Sequence, residues 1–257
     1  MGIQDLESNL LTLKKISNKT KHIIIYCFDT WESQYERWEN AFKEINPYCI
    51  FFAYKESYLY FKEKYVRTGF VPQSMDEKFF FPYNVSKERL FMQMGRKNMN
   101  IHNMILRYLN KKNIVDNTNN YVYEREKGKI IYPDTSELAR NISKTYFFVC
   151  APQSLENSEL TGKISDVTAR FYEAMACKTL IIGFKPDTYD ELFPKDSMVE
   201  LKPDGSDFDK KIQQMLNDTK EYNGKVSENY QYLRKNHRWK NRFNQMIEMI
   251  NEWEANR

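Results

Sequence analysis

The stretch YFFVCAPQSLENSELTGKISDVTARFYEAMACKTLIIGF, residues 146–184, decides the fold. It opens on an apolar run, 146–150, and passes through a polar loop, 151–167. It turns helical over 168–177 and closes on a second apolar run, 179–184. Short continuous apolar runs of this kind read as strands buried on both faces. A strand, a helix and a second strand in sequence form the repeating unit of a parallel sheet with helices packed on it.

The same alternation extends in both directions. Upstream, the spacing predicts strands over 22–28, 49–54, 89–94, 121–124 and 129–132. Trp31, Tyr35, Trp38, Phe42 and Ile45 recur at helical spacing on one face, and Asn46-Pro47 stops that helix. Further helices are expected over 98–112 and over 135–144, the latter capped by Asp134 or Thr135. Residues 1–13 read as an amphipathic helix. Downstream come a helix at 187–193, a strand at 198–201 and a helical tail from Asp207. Residues 69–83 hold Pro72 and Pro82 and no period, so they read as a linker. The expected organisation is an abbreviated α/β part over 1–70, a hinge over 71–83, a Rossmann-like domain over 84–236 and a helical tail over 237–257.

Composition narrows the function classes. A chain of 257 residues, 41% hydrophobic and 29% charged, buries an ordinary core. The net charge of +4 is too mild for a nucleic-acid partner, which calls for basic residues gathered in a stripe. Cys27, Cys49, Cys150 and Cys177 form no CxxC pair and read as buried thiols. No leader-like segment and no apolar run near 18 residues is visible, so the expected location is cytoplasmic, with attachment at the inner membrane face left open.

In parallel α/β sheets ligands bind beyond the carboxyl ends of the strands. Four such loops carry candidate chemistry. Gly95-Arg96-Lys97-Asn98 places a flexible residue and two cations at a helix mouth, where free amides suit a diphosphate; a solvated turn is the plain alternative. In 161–178, Thr168 opens a helix on which Arg170 and Glu173 share a face among apolar neighbours. A carboxylate there can accept from both hydroxyls of a ribose, and the first-turn amides can hold a phosphate. An ion pair on a surface helix is the alternative. Asp29 follows a strand and reads either as a general base or as the cap of the next helix. Tyr123, Arg125 and Tyr132 offer planes for a nucleobase, or ordinary strand-end packing. His102 and His237 read as packing residues. No Ser-His-Asp order, metal-ligand spacing or Walker loop is present.

The segment Arg170-Phe171-Tyr172-Glu173-Ala174-Met175-Ala176-Cys177 resembles the R-x-x-E-A-M-A-C segment of GT-B glycosyltransferases, in particular the CgeB-like and family-4-like groups. Gly95-Arg96 resembles the Gly-Arg turn of the same domain. Residues 71–76 with Phe80-Phe81-Pro82 are similar to its hinge, and His237-x-Trp239-x-x-Arg242 to a CgeB-like tail. Lys178 stands where glycine is usual, and Ser165 where family-4 enzymes carry a second glutamate, so Lys163, Ser165, Asp166 or Thr168 would serve the sugar ring instead.

The resemblance implies a GT-B-like α/β fold. It implies transfer of a sugar from a UDP- or GDP-linked donor to a hydroxyl of a glycan or lipid-linked acceptor, in bacterial surface glycan synthesis, with no metal and no cofactor. Under it, Gly95, Arg96, Lys97, Tyr123, Arg125, Tyr132, Lys163, Thr168, Arg170 and Glu173 bind the donor, and Asp29 takes the acceptor proton. The alternative is a non-catalytic donor-binding or scaffolding subunit that works with a partner glycosyltransferase, or as a homodimer. A sugar-nucleotide epimerase is a weaker third reading, opposed by the order of the motifs.

Overall fold

The structure is a computed structural model, and it describes residues 2–3, 6–20, 22–95, 97–116, 119–124 and 130–256. The chain divides into two compact units. Unit 1 comprises Met1–Gln73, Asn157–Val167 and Trp239–Arg257; unit 2 comprises Ser74–Glu156 and Thr168–Arg238. The division falls between Gln73 and Ser74, inside the stretch expected as a hinge. Two later segments group with unit 1: 157–167, expected inside the Rossmann-like domain, and the last helix, expected as a tail.

Unit 1 holds β1 (Gly2–Ile3), α1 (Leu6–Ser17), β2 (Ile24–Cys27), α2 (Tyr35–Ile45), β3 (Cys49–Phe52), α3 (Lys55–Lys62) and β4 (Thr68–Phe70). The four strands lie in order β1-β2-β3-β4, all parallel. The five aromatic and aliphatic residues spaced along 31–45 are all buried, and Asn46 ends α2 in a left-handed conformation with φ 49°. β4 lies in what reads as linker. Three residues with a central glycine carry no period, and only pairing of Ile50 with Thr68 and Phe52 with Phe70 makes them a strand. The amino-terminal helix likewise starts at Leu6, after a two-residue strand.

Unit 2 begins with β5 (Arg89–Gln93), α4 (Met99–Lys111), β6 (Tyr121–Tyr123), α5 (Thr135–Ser143) and β7 (Thr145–Cys150). In chain order, α6 (Ser158–Thr161) then falls in unit 1. Unit 2 resumes with α7 (Ala169–Ala176), β8 (Leu180–Gly183), α8 (Tyr189–Leu192), β9 (Met198–Glu200), α9 (Phe208–Asn217) and α10 (Thr219–Asn236). α11 (Trp239–Ala255) belongs to unit 1. The expected strand at 129–132 is not formed at 130–132, and its first residue lies outside the described ones.

The sheet order in unit 2 is β6-β5-β7-β8-β9, all parallel. Phe91, Phe147, Val149, Leu180 and Ile182 point to one face, into a core with Ile101, Ile105 and Leu109 of α4 and Phe208 and Ile212 of α9. The alternate residues Met92, Phe148 and Ile181 are equally buried on the other face, where α7 packs on β7, β8, α5 and α10. Burial on both faces explains why these strands are continuous apolar runs. All four cysteines are free and buried. Among the described residues no helix is long and apolar enough to cross a membrane.

One glycine shapes the carboxyl edge of this sheet. Gly183 has φ 146°, and a Cβ there would stand 1.8 Å from the carbonyl oxygen of Cys150. Gly183→Ala should therefore cost about 3 kcal/mol through strain and displacement of β7 from β8. Gly224 of α10 has nothing near its Cβ position, and Gly224→Ala should stabilise by about 0.5–1 kcal/mol. Urea unfolding of the two variants checks the contrast, and equal effects would refute it.

Candidate functional site

In a sheet of this strand order the helices after the first and third strands leave to opposite faces, which opens a crevice at the carboxyl ends of those two strands. Here they are β5 and β7. Met92 pairs with Phe148, so Met94 and Cys150 stand level where both strands end.

The corner after β5 is built for close approach. Gly95 has φ 79°, a conformation that favours glycine, and among the described residues other than its chain neighbours no atom lies within 4 Å of its Cβ position, so the requirement is on the backbone. Asn98, buried, caps α4: its side-chain oxygen accepts from the amide of Ile101 at 3.0 Å. The Nζ of Lys97 lies 4.9 Å from the ring centroid of Tyr123. Tyr123 is also edge-on to His102 at 4.7 Å and donates to Asp116 at 3.3 Å. Tyr121 donates to Gln93 at 2.9 Å, which leaves Nδ1 of His102, 3.1 Å away, as the donor to the Tyr121 oxygen. The loop cation and the aromatic strand end are thus brought together. Arg96 and Arg125 lie outside the described residues.

The second corner is the start of α7. Thr168 is its N-cap residue, extended at φ −98°, ψ 169°, and its hydroxyl makes no capping bond. Arg170 donates to Glu173 at 2.5 Å. Glu173 is largely enclosed, with its side chain 12% exposed against 38% for Arg170. Burial pushes the Glu173 carboxyl up, and Arg170 opposes that shift without cancelling it. The pair is therefore not a solvated surface bridge. α7 follows the loop that leaves the carboxyl end of β7 and packs on β7 and β8, with Arg170 and Glu173 in its first two turns. The corner after β5 and the helix that carries the ion pair thus follow neighbouring strands.

A residue that sequence reasoning missed joins the corners after β5 and β7. Glu156, six positions beyond β7, accepts from the Asn98 side-chain amide at 2.7 Å. Burial pushes its pKa up, and the backbone of Met99 at the start of α4 opposes that shift. Nothing in the polar loop marks Glu156 in the sequence, because only the adjacency of β5 and β7 selects it.

The other candidates separate from this group. Tyr132 is half-buried, its hydroxyl pushed up by burial, and its charged neighbours are Arg89, Glu137 and Lys144, none of them a site candidate. Asp29 and Lys163 belong to unit 1. Asp29 does not cap the turn that follows: the cap position is Trp31, with no side-chain bond, and Asp29 accepts from the Tyr54 hydroxyl at 2.8 Å. Tyr54 is buried and stacked on Trp31 at 4.6 Å. The Lys163 side chain is exposed, and its amide donates to Glu32 at 2.8 Å. Asp166, buried in the same segment, accepts from the amide of Lys55 at 3.1 Å and so caps α3. His237 packs as expected, with Nε2 2.7 Å from the Leu192 carbonyl oxygen and its ring against Phe193.

The raised Glu173 carboxyl has a consequence for stability. The folded chain holds this proton more tightly than the unfolded chain, whose glutamates titrate near about 4.3. Stability is then full below that value and falls as pH rises through the higher folded value. Subtracting a Glu173→Gln series from the wild type cancels the common groups. The difference should show wild type losing stability with rising pH just above the ordinary carboxylate range, and Arg170→Ala should enlarge the loss. A flat difference would refute the assignment.

With the geometry in place, comparison with known proteins identifies the chain. The glycosyl transferase-like family model matches residues 114–248, just over half of the chain. No curated protein matches it by sequence. Among solved structures, that of accessory secretory protein 1, 2 and 3 of Streptococcus pneumoniae superposes with a TM-score of 0.61 at 9% identity, over 100% of this chain and 54% of that one. TarM gives 0.59 at 11% identity, over 95% and 58%. A glycosyltransferase from Rickettsia africae ESF-5 gives 0.56 at 11% identity, over 95% and 80%. At such identities the likeness is one of fold, the GT-B fold, and the chain spans little more than half the length of the first two. The chain belongs to the glycosyl transferase-like family.

Proposed function

We propose that the chain binds a nucleotide-diphosphate sugar at the carboxyl ends of β5 and β7 and transfers the sugar to a hydroxyl acceptor. One observation carries this reading. A largely enclosed carboxylate, Glu173, sits with Arg170 on the helix that follows β7, and the left-handed Gly95, Lys97 and the start of α4 follow the neighbouring strand β5. Glu173 is the group suited to the ribose hydroxyls. Arg170, Lys97 and the first amides of α7 are suited to the diphosphate, with Arg96 added from the sequence pattern.

The chemistry follows from charge. Breaking the glycosidic bond leaves both bonding electrons on the nucleoside diphosphate. Cations and helix amides placed in advance stabilise that charge as it develops, with no reorganisation at the moment of reaction. Lys97 and the start of α7 would do this here. The acceptor hydroxyl loses a proton as it attacks, and Asp29 of unit 1, steadied by Tyr54, is the assigned base. UDP- and GDP-linked sugars are the donor class, a glycan or lipid-linked hydroxyl the acceptor class, and bacterial surface glycan synthesis the setting.

One observation favours a second reading, a non-catalytic subunit acting beside a partner glycosyltransferase. The Glu156 carboxylate already occupies the Asn98 side-chain amide at the mouth of α4, where an anionic donor would bind.

Calorimetry with UDP and GDP tests the donor site. Glu173→Ala and Lys97→Ala should each weaken nucleotide binding by about 10- to 100-fold, the loss expected for charge-assisted hydrogen bonds. Unchanged affinity in both variants would remove the donor site. Hydrolysis of UDP- or GDP-sugars by the wild type, lost in Asp29→Asn, would separate the enzyme from the binding subunit.

A further inference from the structure

Glu156 is placed oddly for a chain that binds anions. Its carboxylate spans the two loops that leave β5 and β7 and accepts from the Asn98 side-chain amide at the mouth of α4. The positive end of the helix dipole lies there, the environment in which phosphate oxygens are held. Asn98 is buried and already committed through its oxygen to Ile101, so its amide nitrogen is a fixed donor. Glu156 itself is exposed and sits on a loop, just before the chain passes into unit 1 at Asn157. A short turn of 153–155 leads into it, so its side chain can leave without disturbing a helix or strand. Two negative groups cannot share this donor: a diphosphate arriving beside Gly95 meets either the carboxylate or the vacated Asn98 amide.

Resting on the donor-site reading above, we propose that Glu156 is an internal competitor for the diphosphate subsite, holding the Asn98 side-chain amide until the donor's phosphates displace it. Glu156 thereby sets donor affinity. It favours ligands with enough phosphate charge to displace a carboxylate, and it satisfies the Asn98 amide when the site is empty. The competition is between anions, so its strength depends on the number of phosphates and not on the base or the sugar. It also supplies a meaning for the occupied Asn98 amide that does not require the chain to be inert.

The test uses the full chain and three probes per base: nucleoside, nucleoside monophosphate and nucleoside diphosphate, in the uridine and guanosine series. Glu156→Gln keeps the shape and removes the charge. Glu156→Ala is a second variant in case the amide holds the loop as firmly as the carboxylate. Both sit on an exposed loop, and a thermal melt confirms folding. The expected result is a gain of about fivefold or more for the diphosphate in either variant, a smaller gain for the monophosphate and none for the nucleoside. Wild-type affinity in both variants, while Lys97→Ala still weakens the diphosphate, would overturn the competition and leave the donor site standing. A gain equal for nucleoside and diphosphate would also overturn it, since loop opening alone would then account for the effect. If no nucleotide binds wild type or variant, the donor-site reading fails and this inference fails with it.

Discussion

The organisation of unit 2 depends on the parallel pairing of β5 with β7. These strands are neighbours in space but not in sequence, and the chain leaves them toward opposite faces of the sheet. That reversal opens a crevice without any special residue. It also sets the loop after β5 beside the loop after β7, which is why Asn98 and Glu156 meet at 2.7 Å across 58 positions of sequence. The apolar side chains that hold the strands, Phe91 against Phe147 and Met92 against Phe148, are the same ones that hold the two corners level.

Burial then decides what the polar groups can do. Glu173 is held among Phe171, Tyr172, Ala174 and Met175 on a helix packed against β7 and β8. Desolvation makes its charge costly, and Arg170 compensates in part. A carboxylate so placed gains from any further donor, and paired hydroxyls on a ligand provide two. Glu156 illustrates the complementary case, an exposed carboxylate that gains by reaching the Asn98 side-chain amide at the mouth of a helix. Under the proposed donor site, one acidic group would take donors from the ligand, while the other uses a donor that the ligand would need.

Much of this was legible in the sequence, for reasons that particular residues show. Strands buried on both faces advertise themselves: residues 146–150 and 179–184 bracket the observed β7 and β8 closely. Helix starts were legible where a short polar residue caps them, as Asp134 does for α5, with its carboxylate 2.7 Å from the Glu137 amide. That Arg170 and Glu173 share one helix face was legible from their three-residue spacing, with an ion pair as the plain alternative. β4 was not, since Thr68-Gly69-Phe70 has no period of its own and owes its conformation to β3. Asp29 left two readings open, and the residue it does bond, Tyr54, is 25 positions away. The excursion of 157–167 into unit 1 was hidden for the same reason, because Glu32, Ser33 and Lys55 hold it through contacts that no local pattern encodes.

The central claim is that the corner after β5 and the first turn of α7 serve one ligand. A crystal structure of the full chain with UDP or GDP bound tests this most directly. The account predicts diphosphate density between Lys97 and the amides of α7, with both ribose hydroxyls within hydrogen-bonding distance of Glu173. A nucleotide bound away from these two corners, or with Glu173 still closed on Arg170 and facing no hydroxyl, would contradict it.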